Sequence, residues 1–120
     1  MTHVAITNAL ASLAVRDLAA ASEWYEKFLG PGNQPMPEVV EWQLPRGGGL
    51  QIYGAPDRAG QGSCTLIVSD IDDIAQMLRT SGVAPDAEPT RGERVDTVMI
   101  QDPDGNSIAF AVPKDQTLAH

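Results

Sequence analysis

A short pattern occurs twice in the chain, and its spacing constrains the fold more than any other feature. Residues 13–18 read L-x-V-x-D-L and residues 66–71 read L-x-V-x-D-I, in a chain of 120 residues. In each copy the alternating apolar residues predict a strand. The aspartate that follows suits the start of a helix, where its carboxylate accepts backbone N–H bonds. The repeat therefore predicts a chain built from two similar halves.

An amphipathic helix is expected after each aspartate. Apolar residues recur every three or four positions in residues 18–29 and 71–78, and Gly30 and Gly82 follow these runs. The three aromatic residues of the first helix share this spacing, which favours the core over an aromatic ligand site.

Strand-like segments follow each helix, so each half is predicted to be β-α-β-β-β. The longer segments are residues 39–44, 50–53, 95–101 and 107–112, and short strands are expected near 34–36 and 87–89. The sequence D-P-D-G-N at Asp102–Asn106 predicts a tight turn before the last strand, because Pro103 suits its second position and Gly105 can take a positive φ.

Two halves of this size cannot each close a hydrophobic core, so we expect one α+β domain over residues 1–120. Its joint lies in the polar, glycine- and proline-rich stretch 55–62. We predict a first module at 6–57, a second module at 58–113 and a loose tail at 114–120.

The charge balance disfavours several partners. Eight lysines and arginines stand against sixteen aspartates and glutamates, giving a net charge of −8. Nucleic acid and anionic membrane are therefore not expected as partners, whereas a cationic ligand is favoured. No apolar run approaches the ~20 residues that span a bilayer, and residues 1–4 lack the features of a signal peptide. We therefore expect a cytoplasmic protein.

Residues for familiar catalytic chemistry are scarce. Cys64 is the one cysteine in the sequence, which leaves no internal disulfide and no cysteine-based zinc site. The two histidines, His3 and His120, lie in the terminal tails. A His-Asp-Ser triad or a histidine-rich metal site is therefore not expected in the body of the chain.

The repeated segments, the W-Y-x-x-F-L-G run at Trp24–Gly30 and the D-P-D-G-N-x-I run at Asp102–Ile108 resemble the vicinal oxygen chelate superfamily. That superfamily includes glyoxalase I, bleomycin and fosfomycin resistance proteins and extradiol dioxygenases. The resemblance covers residues 6–113. It implies two tandem β-α-β-β-β modules that form a cupped mixed sheet, with the helices on the outer face and a ligand cavity inside the cup.

Strand alternation divides the strand residues between the two sides of the cup. The helix-facing set is Leu13, Val15, Leu50, Ile52, Leu66, Val68, Ile108 and Phe110. The set expected to line the cup and bind a ligand is Leu10, Ser12, Glu41, Gln51, Tyr53, Ser63, Thr65, Ile67, Met99 and Ala109, with Ala14, Thr97 and Ala111 further along the same strands.

The orientation of Trp42 decides whether Glu41 belongs to that set. If Val40, Trp42 and Leu44 face together, Trp42 lies in the core and Glu41 lines the cup; the opposite pleat places Trp42 in the pocket. Matching the two modules strand by strand pairs Trp42 with Ile100, which favours the core.

The metal enzymes of the superfamily carry histidine or glutamate ligands at four equivalent strand positions. The resemblance places these positions at Leu10, Gln51, Ser63 and Ala109. None of the four supplies an imidazole or a carboxylate, and a divalent cation needs several such ligands to replace its hydration shell. We therefore predict no metal and no other cofactor.

Without a metal, the chain resembles the bleomycin-resistance proteins, which bind a drug in a cleft between two protomers and catalyse no reaction. The resemblance therefore implies a homodimer that binds a small, drug-like or cationic organic molecule, and it favours binding over catalysis. One alternative is a metal-independent isomerase or lyase with Glu41 as base and Tyr53 as acid. Another is an accessory domain with a degenerate cup.

Overall fold

Both helices begin at the aspartate of the repeat, as predicted. A computed structural model describes residues 4–114. Helix α1 spans Leu18–Leu29, and the Asp17 carboxylate accepts a 3.1 Å hydrogen bond from the Ala20 N–H. Helix α2 spans Ile71–Thr80, and Asp70 caps it through the Asp73 N–H at 3.0 Å. The two copies of the repeated pattern therefore have the same local structure, a strand followed by a capped helix.

The strands form one sheet in each half of the chain. The first sheet contains β1 (Leu10–Val15), β2 (Asn33–Met36), β3 (Val39–Gln43) and β4 (Gly49–Gly54), in the order β1-β4-β3-β2. The second sheet contains β5 (Ser63–Ile67), β6 (Val95–Gln101) and β7 (Ser107–Pro113), in the order β5-β7-β6. In each sheet the strand before the helix pairs in parallel with the last strand, and the other pairings are antiparallel. The α+β fold class is thereby confirmed.

The strand expected near 87–89 does not form. This segment is irregular, and its nearest sheet-like contact is a single bridge between Thr90 and Thr97. The Ala87 N–H bonds to the Ala84 carbonyl, and the Ala87 carbonyl accepts a 2.8 Å bond from the Arg79 guanidinium. Pro89 has no N–H to donate. The backbone groups that a ladder needs are therefore absent or occupied.

A single hydrophobic core contains residues of both halves. Helix α1 packs on β3 and β4, and α2 packs on β6 and β7. Phe28 of α1 also meets Phe110 of β7 edge-on, with ring centroids 5.7 Å apart, a favourable geometry for aromatic pairs. The helix-facing residues predicted from alternation are buried in this core, except Val68, which is partly buried against it.

The Asp102–Asn106 turn joins the two halves by buried hydrogen bonds. The Asp102 carboxylate accepts bonds from the Tyr25 hydroxyl of α1 at 2.7 Å and from the Asn106 backbone N–H at 2.8 Å. The Asn106 amide nitrogen donates to the Ala14 carbonyl at 2.8 Å, and its oxygen accepts from the Gly62 N–H at 2.9 Å. The turn predicted from the sequence is therefore also a junction, which we call the Asp102 junction.

Burial, and then the bond to Asp102, raise the pKa of Tyr25 well above its usual range. Its hydroxyl therefore stays a donor at ordinary pH, and the junction does not open with the titration of this group.

The proposed module boundaries at 57 and 58 remain a prediction. Of the predicted tail, Lys114 is anchored, since its N–H bonds to the Arg94 carbonyl at 2.8 Å and its ammonium to the Gly92 carbonyl at 2.7 Å. The rest of the tail, which includes His120, lies outside the described residues, and so does His3.

Candidate ligand-binding faces

Each sheet turns one side away from its helix, and the predicted cup-lining residues lie on these sides. We call the side of the first sheet the first face; it carries Leu10, Ser12, Glu41, Gln51 and Tyr53. The side of the second sheet is the second face; it carries Ser63, Thr65, Ile67, Met99 and Ala109. All ten side chains are exposed or half-buried. Ala14 and Ala111, further along the same strands, are buried.

A row of polar side chains crosses the first face. Glu41 on β3 lies opposite Gln51 on β4, and Gln51 lies opposite Ser12 on β1. The Gln51 amide nitrogen donates a 2.7 Å hydrogen bond to the Ser12 hydroxyl. This bond orients the amide, so the Gln51 carbonyl oxygen is left to face a partner outside the row.

Leu10 lies next to this row and is 48% exposed. Its cross-strand partner is Gly49. A Cβ at Gly49 would lie 2.5 Å from the Leu10 Cδ2 atom and 2.9 Å from the Trp42 carbonyl oxygen. The absent side chain therefore gives Leu10 the space in which it lies across the sheet.

Tyr53 lies one row beyond Gln51, and Arg58 covers it. The guanidinium carbon of Arg58 is 5.6 Å from the centre of the Tyr53 ring, a cation–π distance. Arg58 belongs to a short 3₁₀ helix, Pro56–Arg58, in the joint between the two halves. The prediction for Tyr53 overlooked Arg58, because no local sequence signal aims a joint residue at the middle of a strand.

The second face is more apolar at the equivalent positions. Met99, Ala109 and Thr65 form the row that corresponds to Glu41, Gln51 and Ser12. Met99 is 62% exposed and Ile67 is 47% exposed. These exposed apolar side chains make the second face a candidate surface for contact with another molecule.

Trp42 lies in the core, so the favoured orientation is confirmed and the alternative in the pocket is wrong. It is 5% exposed, and its indole N–H donates a 2.8 Å bond to the Gly30 carbonyl after α1. Its ring lies 5.9 Å from that of Tyr25. Glu41, next in the strand, therefore projects onto the first face.

Two open grooves adjoin the first face, and Glu41, Gln43 and Leu44 line both. One, of about 620 Å³, lies between the end of α1 and β3 and also contacts Phe28 and Trp42. The other, of about 380 Å³, lies between residues 8–10 and the turn at 47–48. Asn8, which the sequence did not single out, holds this turn through the Gly48 N–H at 2.7 Å.

A third groove lies apart from both faces. It has a volume of about 410 Å³ and runs along the start of α2, where Val68, Asp70 and Met77 line it. None of the three grooves brings residues of the first and second faces together.

Comparison with known proteins adds to this geometry. No family model and no curated protein matches the chain. Among solved structures, a glyoxalase/bleomycin resistance protein from Catenulispora acidiphila DSM 44928 is 35% identical; the match covers 88% of this chain and 96% of that one, with a TM-score of 0.72. This chain belongs to the glyoxalase/bleomycin resistance protein family.

Two further solved structures share the fold at lower identity. TnmS3, an antibiotic binding protein from Streptomyces sp. CB03234, is 22% identical over 93% of this chain and all of that one, with a TM-score of 0.76. A bleomycin resistance determinant encoded on the transposon Tn5 is 17% identical over 92% of this chain and all of that one, with a TM-score of 0.70. Within residues 4–114, each helix falls short of the length and apolar character of a transmembrane span.

The four positions that the resemblance assigns to metal ligands do not fit a divalent cation. Leu10 and Ala109 offer no donor atom, and Gln51 offers one neutral amide oxygen. Ser63 adds only a hydroxyl, which is too little for Zn²⁺, Ni²⁺ or Fe²⁺. Within residues 4–114, no three His, Cys, Asp or Glu side chains group in a way that could hold a metal.

Cys64 is not an activated nucleophile. Its residue is half-buried among the core residues rather than on the second face. Burial, followed by the charge of Asp102, raises the pKa of the Cys64 thiol, which keeps it protonated near neutral pH.

Proposed function

We propose that this protein is a non-catalytic, small-molecule binding member of the glyoxalase/bleomycin resistance protein family. It works as a homodimer, in which the first face of one protomer and the second face of its partner enclose a drug-like organic ligand. Sequestration of an antibiotic or a related toxic compound is the role that this arrangement serves.

The observation that carries the proposal is the pair of exposed faces. One is largely polar and the other largely apolar, and alternation separates both from a closed core. Ligand sites combine apolar walls with a few placed polar groups, and here the two kinds of wall lie on different sheets. The polar row of the first face would orient a ligand, and Met99 and Ile67 would cover its apolar part.

The open grooves favour the homodimer. Each groove is open to solvent, and none contains residues of both faces. A second copy of the chain can bring a second face against a first face, and a two-fold axis then creates two equivalent clefts. The names of the antibiotic binding protein and the bleomycin resistance determinant that share the fold agree with this role.

A complementation experiment tests the shared cleft. Gln51→Trp fills the first face and Ala109→Trp fills the second face, at equivalent positions of the two modules. Sedimentation should show a dimer for each variant, and each should lose the thermal stabilisation that a ligand found by screening gives the wild type. Refolding the two variants together should restore binding, because each mixed dimer has one cleft with both faces intact.

Four results would contradict the proposal. A monomer in sedimentation would refute the dimer. Mixed variants that still fail to bind the ligand would place the site within one protomer. A broad ligand screen without any stabilisation of the wild type would refute small-molecule binding. Turnover of a bound compound, lost in Glu41→Gln, would replace binding with the isomerase or lyase alternative.

A further inference from the structure

The first face presents two oxygen acceptors side by side, and within residues 4–114 neither has a donor. Glu41 is half-buried, and within residues 4–114 its carboxylate takes part in no hydrogen bond and no ion pair. The residue opposite is Gln51, whose amide nitrogen is bonded to Ser12. Its carbonyl oxygen likewise accepts no bond from the described residues.

Their position in the sheet allows one donor group to reach both. Residues directly opposite each other in an antiparallel pair have Cβ atoms about 5 Å apart. A carboxylate and a carbonyl at that separation match two N–H groups on one nitrogen, or on an amidinium. An additional neutral acceptor or an anion would instead face two oxygens and lose hydration without a bond in return.

Arg58 places a positive charge at one end of the first face. Its guanidinium lies over Tyr53, which is two residues along β4 from Gln51 and so about 7 Å further along the strand. The face is therefore negative at Glu41 and positive at Arg58. A ligand with one charged end is expected to turn a cation toward Glu41 and away from Arg58.

From this arrangement, and resting on the proposed function, we propose that Glu41 and the Gln51 carbonyl form an N–H-selective subsite for organic cations. The ligand class is an apolar aromatic body with a primary ammonium or amidinium group.

Three pyrene probes test the subsite by fluorescence titration. 1-Pyrenemethylamine carries an ammonium with N–H donors, its N,N,N-trimethyl derivative carries the charge without donors, and 1-pyrenemethanol carries neither the charge nor the ammonium. The wild type should bind the amine at least about tenfold more tightly than either analogue, as expected for charge-assisted hydrogen bonds.

Variants assign the effect to the subsite. Glu41→Gln should remove this preference, whereas Glu38→Gln, which makes the same charge change in the exposed turn before β3, should keep it. Arg58→Gln should tighten binding of the amine, opposite in direction to Glu41→Gln. Unchanged melting temperatures of the free variants would show that folding is not the cause.

The outcomes separate this inference from the proposed function. If all three probes bind the wild type equally, or if Glu41→Gln keeps the preference, the subsite is refuted while small-molecule binding stands. If the trimethyl derivative binds as tightly as the amine, charge alone is read and the N–H selectivity is refuted. If no probe binds the wild type and ligand screening also fails, the proposed function falls and the subsite with it.

Discussion

The two modules share a backbone plan but differ in what they expose. Equivalent core positions stay apolar, as in Leu50 and Ile108 or in Trp42 and Ile100. Equivalent face positions change character, since Glu41 corresponds to Met99 and Gln51 to Ala109. The difference shows that packing constrains one side of each strand, while the other side is free to specialise.

The modules also differ in strand number, with four strands in the first sheet and three in the second. In the first module β2 extends the sheet beyond β3. In the second, the corresponding segment makes only the bridge between Thr90 and Thr97 next to β6. The first face is therefore the wider of the two, and both grooves beside it use β3.

The largest expected effect breaks the connection between the modules. Asp102→Ala removes the acceptor of the Tyr25 hydroxyl and of the Asn106 backbone and side-chain N–H groups. Because buried donors without partners cost about 1–3 kcal/mol each, we expect a loss of roughly 3 kcal/mol or more in the free energy of unfolding. Urea denaturation followed by circular dichroism measures this loss.

Asp104→Ala is the matched control in the same turn. Asp104 pairs with the exposed Arg16 guanidinium at 3.7 Å and accepts a 3.2 Å bond from the Arg16 N–H, so its removal should cost about 1–2 kcal/mol, less than the loss of Asp102. Equal losses for the two variants would mean that the Asp102 junction does not hold the halves together. Separate unfolding transitions in Asp102→Ala would show that the modules fold as two units once the junction is lost.

A second effect tests whether equivalent positions tolerate the same side chain. Gly49 and Ser107 correspond in β4 and β7, and only Gly49 lies against Leu10 and the Trp42 carbonyl. Gly49→Ser should therefore destabilise the fold by roughly 1–3 kcal/mol through overpacking. Ser107→Gly, the reverse exchange, should cost less than that in the same urea measurement, and a larger loss at Ser107 would contradict the explanation.

The smallest effect concerns an ion network in the second module, in which Lys114, Asp96 and Arg91 take part. The Lys114 ammonium lies 3.1 Å from the Asp96 carboxylate. Its hydrogen bond, helped by the Gly92 N–H and by Arg91, lowers the pKa of Asp96 below its usual value. The resulting stability is present above the unfolded-state value of about 3.9 and is lost as the pH falls through the lower folded-state value.

Lys114→Gln should accordingly reduce stability at neutral pH, and its difference from the wild type should shrink below about pH 4. Urea midpoints between pH 3 and 7 measure this convergence. Lys27→Gln, which removes the same charge from the last turn of α1, controls for net charge. A Lys114 difference that stays constant with pH would refute the role of Asp96.

Local patterns predicted the elements and the two sides of each strand. The capping by Asp17 and Asp70, the burial of the helix-facing residues and the orientation of Trp42 follow from hydrophobic periodicity and from the repeat. These features depend on residues a few positions apart, and such spacing is visible in the sequence.

Contacts between distant residues were not predictable in the same way. Tyr25 meets Asp102 across 77 residues, and Arg58 reaches Tyr53 only because the joint folds back over the sheet. The strand expected near 87–89 does not form for a similar reason, since the Arg79 guanidinium of α2 donates a hydrogen bond to the Ala87 carbonyl. The contact of Arg58 with Tyr53 places a positive charge on the first face, at a distance from the negative charge of Glu41. This arrangement is visible only in the structure.

The alternation of the strands has a consequence for how such a protein can change. Substitutions at Glu41, Gln51, Met99 and Ala109 alter the faces and leave the core residues between them in place. A combinatorial library confined to these four alternate positions should therefore yield mostly folded proteins with new ligand preferences. In evolutionary terms, ligand specificity can change while the residues that stabilise the fold stay the same.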